Sequence, residues 1–341
     1  MVINNKKSFL FVFFLIIGLI IFLAYNSLNR PFIHLPKSEL FEIIKGDDFK
    51  TILVKLENNN IISDINLMYF YGRFTDKSIK LKAGEYLISR DDSQFSIIDR
   101  FVKGEVYLHP FTIIEGWTID DLELAISNAD FLSKSSSPID YDPFINNYAH
   151  DDLLLKPEGL FLPETYFFPK NTLPNQVLKN SNKMMLDELA KQWGNRESNL
   201  PLKSPYEALI LASIIEKETA VPDERPRIAS VFIERLKQNM RLQTDPTVIY
   251  GLGKEFNGDI TKKDLRRDTA YNTYTRYGLP PTPISLPGKD SIYAALNPAN
   301  EKNIYFVASG KKDGRHVFSH TREEHEIAVK NYLNQIKLND D

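Results

Sequence analysis

Apolar and polar positions fall into three regimes along this chain. From Phe9 to Tyr25 (FLFVFFLIIGLIIFLAY) apolar residues run without a charge, and Lys6 and Lys7 stand in front of them. That run reaches the short edge of the roughly 17–25 residues a membrane-spanning helix needs. A cleaved signal peptide is the alternative, but its apolar stretch is shorter and ends in small residues, and Ala24-Tyr-Asn-Ser27 offers no clear A-x-A site. We therefore expect an uncleaved signal anchor over 9–25. The two lysines place residues 1–8 in the cytoplasm and the rest of the chain outside it. In a bacterium this describes a single-pass protein of the inner (cytoplasmic) membrane with a periplasmic body.

Residues 26–36, with Pro31 and Pro36, read as a linker, and 37–104 as a small α/β module. Phe41 to Asp48 suggests a strand running into a Gly-Asp turn, with Asp47 or Asp48 capping a helix that turns Ile52, Leu53 and Leu56 inward. A strand is expected over Leu81–Ile88, then an amphipathic helix over 93–102 with Phe95, Ile97, Ile98 and Phe101 inside. Beyond it, helical spacing marks 120–128, 183–193 and 228–240, and strands are expected at 106–114, 245–250 and 304–308. Ser133–Pro138 is the clearest loop. The fold class is α+β: an N-terminal span, a small module, and a larger mixed domain over 105–341.

Ser204 to Thr219 carries the strongest chemical signal. Ser204 suits an N-cap, Pro205 the first helical position, and Glu207 the third position of a capping box. At about 100° per residue, Leu211, Ile214 and Ile215 form a stripe, Glu218 emerges from its middle, and Glu216 points away. A carboxyl held against apolar side chains is disfavoured as an anion and can serve as a general acid. The plainer reading is a helix end that emerges into solvent.

Composition narrows the setting. The 341 residues suffice for about two domains. A net charge of −3 carries no basic signature, which argues against nucleic acid as partner. The absence of cysteine excludes disulfides, thiolate metal sites and a cysteine nucleophile. After residue 240 clean periodicity gives way to loops. There Gln243, Thr244, Asp245, Tyr271, Asn272 and Tyr274 supply hydrogen-bonding groups and aromatic faces of the kind a sugar polymer needs. The Asn and Asp could equally serve turns, and the tyrosines packing. His316, His320 and His325 with Glu323 and Glu324 lack the H-E-x-x-H spacing, so we expect no metal site.

Five ordered motifs then resemble one family. "EGLFLPETY" (158–166), "ASIIEKETA" (212–220), "RLQTDPTVIYG" (241–251), "AYNTY" (270–274) and "GLPPTPI" (278–284) are similar to those of the endolytic murein transglycosylases, the MltG or YceG-like lytic transglycosylases. With the anchor and a loosely LysM-like 37–104 region, which would bind glycan, the resemblance spans nearly the whole chain. A module without a ligand is the alternative for 37–104. The resemblance implies a membrane-anchored lyase that cuts N-acetylmuramic acid–N-acetylglucosamine bonds inside nascent peptidoglycan strands, leaves 1,6-anhydro ends and terminates elongation. It maps the catalytic glutamate onto Glu218 and requires no cofactor. Gln243, Thr244, Asp245, Tyr271, Asn272 and Tyr274 would position the sugar. Glu164 is the leading second carboxylate, with a groove-lining or structural role as its alternative, and Glu216 and Lys217 would form a surface pair. The implied partners are glycan strands, the membrane, and the synthases and other proteins of cell-wall elongation and division. A non-catalytic peptidoglycan-binding scaffold and a hydrolytic muramidase are the competing functions.

Overall fold

The computed structural model describes residues 2–32, 37–62, 64–134, 139–145 and 157–340. Parts of the expected 26–36 linker and of the Ser133–Pro138 loop lie outside the described residues. The chain divides into two compact units, one formed by Met1–His109 with Phe167–Asn171, the other by Pro110–Tyr166 with Thr172–Asp341. The expected boundary at 104/105 falls slightly earlier, and the first unit also takes back a short later segment.

The first unit opens with α1 (Val2–Leu28). Within it Ser8–Leu28, 21 residues, is long and apolar enough to cross a membrane. After it come β1 (Glu39–Ile43), α2 (Phe49–Asn58), α3 (Ile65–Phe74), β2 (Gly84–Ile88) and α4 (Gln94–Lys103). β1 and β2 pair antiparallel with Glu39 opposite Ile88. Asp48 is the N-cap of α2, its carboxylate accepting the Thr51 N–H at 2.7 Å. Ile52, Leu53 and Leu56 are buried from that helix, and Ile97, Ile98 and Phe101 from α4. Such burial of aliphatic and aromatic side chains contributes about 1.5–3 kcal/mol each.

β3 (His109–Thr112), α5 (Ile119–Asn128), α6 (Asp142–Ile145) and β4 (Thr165–Phe168) follow, and β3 pairs with β4. The second unit continues with α7 (Pro174–Gly194), α8 (Pro205–Glu218), α9 (Arg225–Lys237), α10 (Asp245–Leu252), α11 (Lys262–Arg266) and α12 (Lys289–Leu296). It ends with β5 (Tyr305–Ala308), β6 (His316–Ser319) and α13 (Arg322–Asp340). β5 and β6 form an antiparallel hairpin with Val307 opposite Val317.

Two expectations need correction here. Residues 245–250 are not a strand but the body of α10. The β-branched run Thr247-Val248-Ile249 suggested extended chain. Pro246, fitting the first helical turn and unable to donate to a ladder, decides against it. Second, α8 is not amphipathic: every residue from Ala208 to Ile215 is buried. α7, α9, α10 and α12 pack around it, so it is a central helix, hydrophobic all round.

Candidate active site

α8 begins at Ser204, whose hydroxyl accepts the Glu207 N–H at 3.2 Å. The expected capping box is displaced by one residue, because the Glu207 carboxylate takes the Lys203 N–H at 2.6 Å. Since Ala208 to Ile215 are buried on all sides, the helix reaches solvent only at its two ends. Glu218 sits at the C-terminal end, half-buried, in the wall of a cleft of about 700 Å³ that Gln243, Asp245, Tyr274, Arg235, Tyr305 and His325 also line.

Thr244 is the N-cap of α10, yet its side chain caps nothing. Its hydroxyl donates instead to the Glu218 Oε1. An N-cap bond is worth about 1 kcal/mol, so α10 forgoes a local bond for one to Glu218. Burial outweighs that bond and, with the nearby Asp245 charge, pushes the Glu218 carboxyl from 4.5 up to about 7. Near neutral pH it therefore exists as both acid and base.

The loop before Thr244 is clamped. Gln243 has a left-handed backbone (φ 53°), and its N–H donates to the Thr273 carbonyl at 3.2 Å. The Thr244 N–H donates to the Thr273 hydroxyl at 3.1 Å, and the Thr247 hydroxyl to the Thr244 carbonyl at 2.7 Å. Arg235, buried in α9, donates to the carbonyls of Ile304 (2.7 Å), Arg241 (3.1 Å) and Leu242 (2.9 Å) and to the Gln243 Oε1 (3.3 Å). Its guanidinium lies 5.3 Å from the centre of the Tyr305 ring, and that ring stacks on His325 at 5.0 Å. Burial, then the Arg235 charge, hold the His325 imidazole below its ordinary value.

The residues singled out from sequence separate into two groups. Gln243, Asp245 and Tyr274 line the cleft with Glu218, and Thr244 bonds it from behind. The Tyr274 hydroxyl donates to Asp245 at 2.6 Å, and burial raises its pKa. Tyr271 and Asn272 do not line the cleft. The Tyr271 hydroxyl bonds Thr282 at 2.8 Å, and its ring packs edge-on against Tyr250. Asn272 is buried. Its amide donates to the carbonyls of Asp264, Leu265 and Arg267, and its oxygen accepts the Tyr274 N–H at 2.8 Å. Glu164 lines a different recess with Lys289, its partner at 2.9 Å.

Glu216 and Lys217 are not a surface pair. The Glu216 side chain is only 6% exposed, and it accepts from Arg225 at 3.2 Å and from the Gly288 N–H at 2.9 Å. Lys217 donates to the Gly116 carbonyl at 3.1 Å. The three histidines do not converge: His316 bonds Glu224, His320 the Lys302 carbonyl, and His325 stacks on Tyr305.

The motifs prove to be mutually packed. Glu158, fully buried, accepts the Ile119 N–H and the Tyr250 hydroxyl, both at 3.0 Å. Gly159 has φ +79°, and a Cβ there would meet Pro283 at 2.5 Å, so the first motif requires glycine where it touches the last. The Ser213 hydroxyl accepts the Ile284 N–H at 3.0 Å. Sequence reasoning missed Arg235, Tyr305 and His325 as parts of the cleft. The first two looked like ordinary helix and strand positions, and the third was weighed only as a metal ligand.

The chain is similar to known proteins over most of its length. The YceG-like family model matches residues 41–331. A Bacillus subtilis protein named endolytic murein transglycosylase is 32% identical over 92% of this chain and 90% of its own. A Streptococcus pneumoniae protein of the same name is 27% identical over 87% of this chain, which spans 58% of that longer relative. A crystal structure of a YceG-like protein from Listeria monocytogenes covers 85% of this chain and 98% of its own, with 31% identity and a TM-score of 0.50. By the extent of these matches, this chain belongs to the YceG-like family.

Proposed function

We propose that this protein is a membrane-anchored endolytic peptidoglycan transglycosylase whose general acid is Glu218. The observation that carries the proposal is a half-buried carboxyl, pushed to about 7, in the wall of a cleft large enough for sugar rings. Glu218 protonates the glycosidic oxygen between N-acetylmuramic acid and N-acetylglucosamine as an oxocarbenium-like state forms. The resulting carboxylate then takes the proton of the muramoyl C6 hydroxyl while that oxygen closes on C1. The glucosamine-bearing strand leaves with the first proton, the other end becomes a 1,6-anhydro sugar, and no water is consumed. An attacking hydroxyl already held in the substrate gains from proximity. A group that protonates and deprotonates in one cycle works best when its pKa lies near ambient pH.

In this reading Gln243, Asp245 and Tyr274 touch sugar, while Tyr271 and Asn272 act by shaping the loops that carry them. Residues 37–104 serve as a LysM-like glycan holder. α1 spans the cytoplasmic membrane with the N-terminus inside and the body on the outer face, near the synthases that supply new strands.

One observation favours a second reading, hydrolysis by a muramidase. Asp245 is another carboxylate in the same cleft, and two carboxylates suffice to activate water. Incubating purified sacculi with wild-type protein and Glu218→Gln separates the readings. Mass spectrometry of the new ends should find the anhydro product, one water lighter than the hydrolytic one, with wild type alone. Equal release by the variant would sink the assignment of Glu218, and full-weight ends would establish the muramidase.

A further inference from the structure

The first unit carries an apolar face that its own core leaves uncovered. In α3, Met68 is buried and Gly72 closes on the Phe49 ring. Phe70 and Phe74, on another side of the same helix, are 72% and 92% exposed, and Ile79 just beyond is 75% exposed. Two phenylalanines one turn apart on an exposed helix face are costly in water.

Their position relative to α1 indicates what covers them. Leu28 and Phe32 enter the core of this unit, and the Phe32 N–H donates to the Asp92 carbonyl at 2.9 Å, so the end of α1 is fastened to it. From Tyr25, in the last turns of the apolar helix, a chain of rings runs to Phe95 (5.5 Å) and on to Tyr71 of α3 (4.6 Å). On a helical projection Phe74 lies about 60° and Phe70 about 100° from Tyr71, both on the side away from Met68 and Gly72. The exposed phenylalanines therefore border the edge of α3 at which the membrane-length helix arrives.

The polar residues among them suit a headgroup layer. Arg73 lies 6.0 Å from the Tyr69 ring centre and Lys77 5.0 Å from that of Tyr71, and Lys80 follows, exposed. Of the nearby acids, Asp64 caps α3 and Asp99 pairs with Lys77, which leaves Asp76. Aromatic rings interleaved with long cationic side chains are the pattern of the membrane–water interface, where ring bodies enter the acyl boundary and cations reach the phosphates.

We propose that Phe70, Phe74 and Ile79 are seated in the outer-face headgroup layer of the bilayer that α1 crosses. This makes the first unit a lipid-seated collar as well as a tethered one, and it rests on α1 being a membrane span. Seating by two elements fixes the orientation of the unit on the membrane, which a single helix followed by a free linker would not do.

The absence of cysteine makes the test direct. Single variants Phe74→Cys, Ile79→Cys, Leu19→Cys and Tyr277→Cys of the full chain are labelled with an environment-sensitive nitrobenzoxadiazole dye. They are then reconstituted into phosphatidylethanolamine–phosphatidylglycerol vesicles carrying nitroxide lipids. Labels at 74 and 79 should emit to the blue and be quenched best by nitroxides high on the acyl chain. The label at 19 should be quenched best by deep nitroxides, and that at 277 by neither. A quenched label at 19 with unquenched labels at 74 and 79 overturns the collar while leaving the span intact. An unquenched label at 19 overturns the span and the collar with it. A blue shift at 74 that grows with protein-to-lipid ratio, without nitroxide quenching, assigns the face to a second copy of the chain and overturns the proposal.

Discussion

Replacing Glu218 with Gln should make this protein more stable, and only above acidic pH. Gln keeps the shape of the side chain and an oxygen to accept from Thr244, but never ionises. Burial holds the wild-type carboxyl at about 7 against an ordinary 4.5. Between those values the unfolded chain has lost a proton that the folded chain retains, so wild-type stability falls as pH rises through the interval and is level above it. The span of about 2.5 pH units, at about 1.36 kcal/mol each, sets an upper bound of about 3 kcal/mol. Because the cleft opens to water, about 1–3 kcal/mol is the working figure. In a unit of this size 2 kcal/mol corresponds to about 4–8 °C in Tm.

Thermal unfolding of both proteins, scanned from about pH 4 to about pH 8, reads this as a gap that opens near 4.5 and levels off near 7. In the mechanism proposed above the same proton governs catalysis, since the acid must be present to protonate the leaving oxygen. Wild-type kcat/KM for release of anhydro ends should therefore fall about tenfold per pH unit above about 7. A stability gap equal at both pH extremes would refute the account, as would an alkaline limb centred far from the midpoint of the gap. Either result would mean that the carboxyl is not desolvated as argued.

Three further perturbations follow from the same geometry. Thr244→Val removes the hydrogen bond that favours the Glu218 anion, so the alkaline limb of the kcat/KM profile should move to higher pH; an unmoved limb would show that the bond is not made in solution. Asn272→Ala leaves several buried carbonyls short of a donor and should lower stability by about 1–3 kcal/mol, with glycan turnover falling alongside. Weakened glycan binding at unchanged Tm would return Asn272 to the role of sugar ligand. Arg225→Met strands the buried Glu216 and removes the cation shared with Glu115 and Asp290, which should cost about 3–5 kcal/mol in denaturant unfolding near neutral pH. Adding Glu216→Gln to Arg225→Met should recover much of that cost, because the stranded charge is gone; no recovery would place the loss in packing.

Local signals were legible wherever a short segment decides its own structure. Asp48 and Ser204 cap the helices their positions announce, and α4 buries Ile97, Ile98 and Phe101 as its spacing requires, with Phe95 half-buried at the edge. Legibility failed where distant residues intervene. Thr247 to Ile249 has strand composition, but the helix start set by Pro246 prevails and the Thr247 hydroxyl secures the first turn. Glu216 looked like the solvent-facing acid of α8. It is buried because Arg225, nine positions later, and the Gly288 N–H come to meet it.

The prominence of Glu218 was readable in the chain by itself: a carboxylate at the end of an apolar helix, within motifs ordered as in one family. So were the membrane-length run and the α+β character, because helix period, uninterrupted apolar length and capping chemistry are properties of neighbouring residues. Tertiary structure alone decided which polar residues share the cleft. It brought in Arg235, Tyr305 and His325 from distant elements, turned Tyr271 and Asn272 to loop support, and set Glu164 against Lys289. It also diverted the Thr244 hydroxyl from its own helix to Glu218. The reason is physical: desolvation and hydrogen-bond partnership depend on what surrounds a group in space, and that neighbourhood is assembled from segments far apart in sequence.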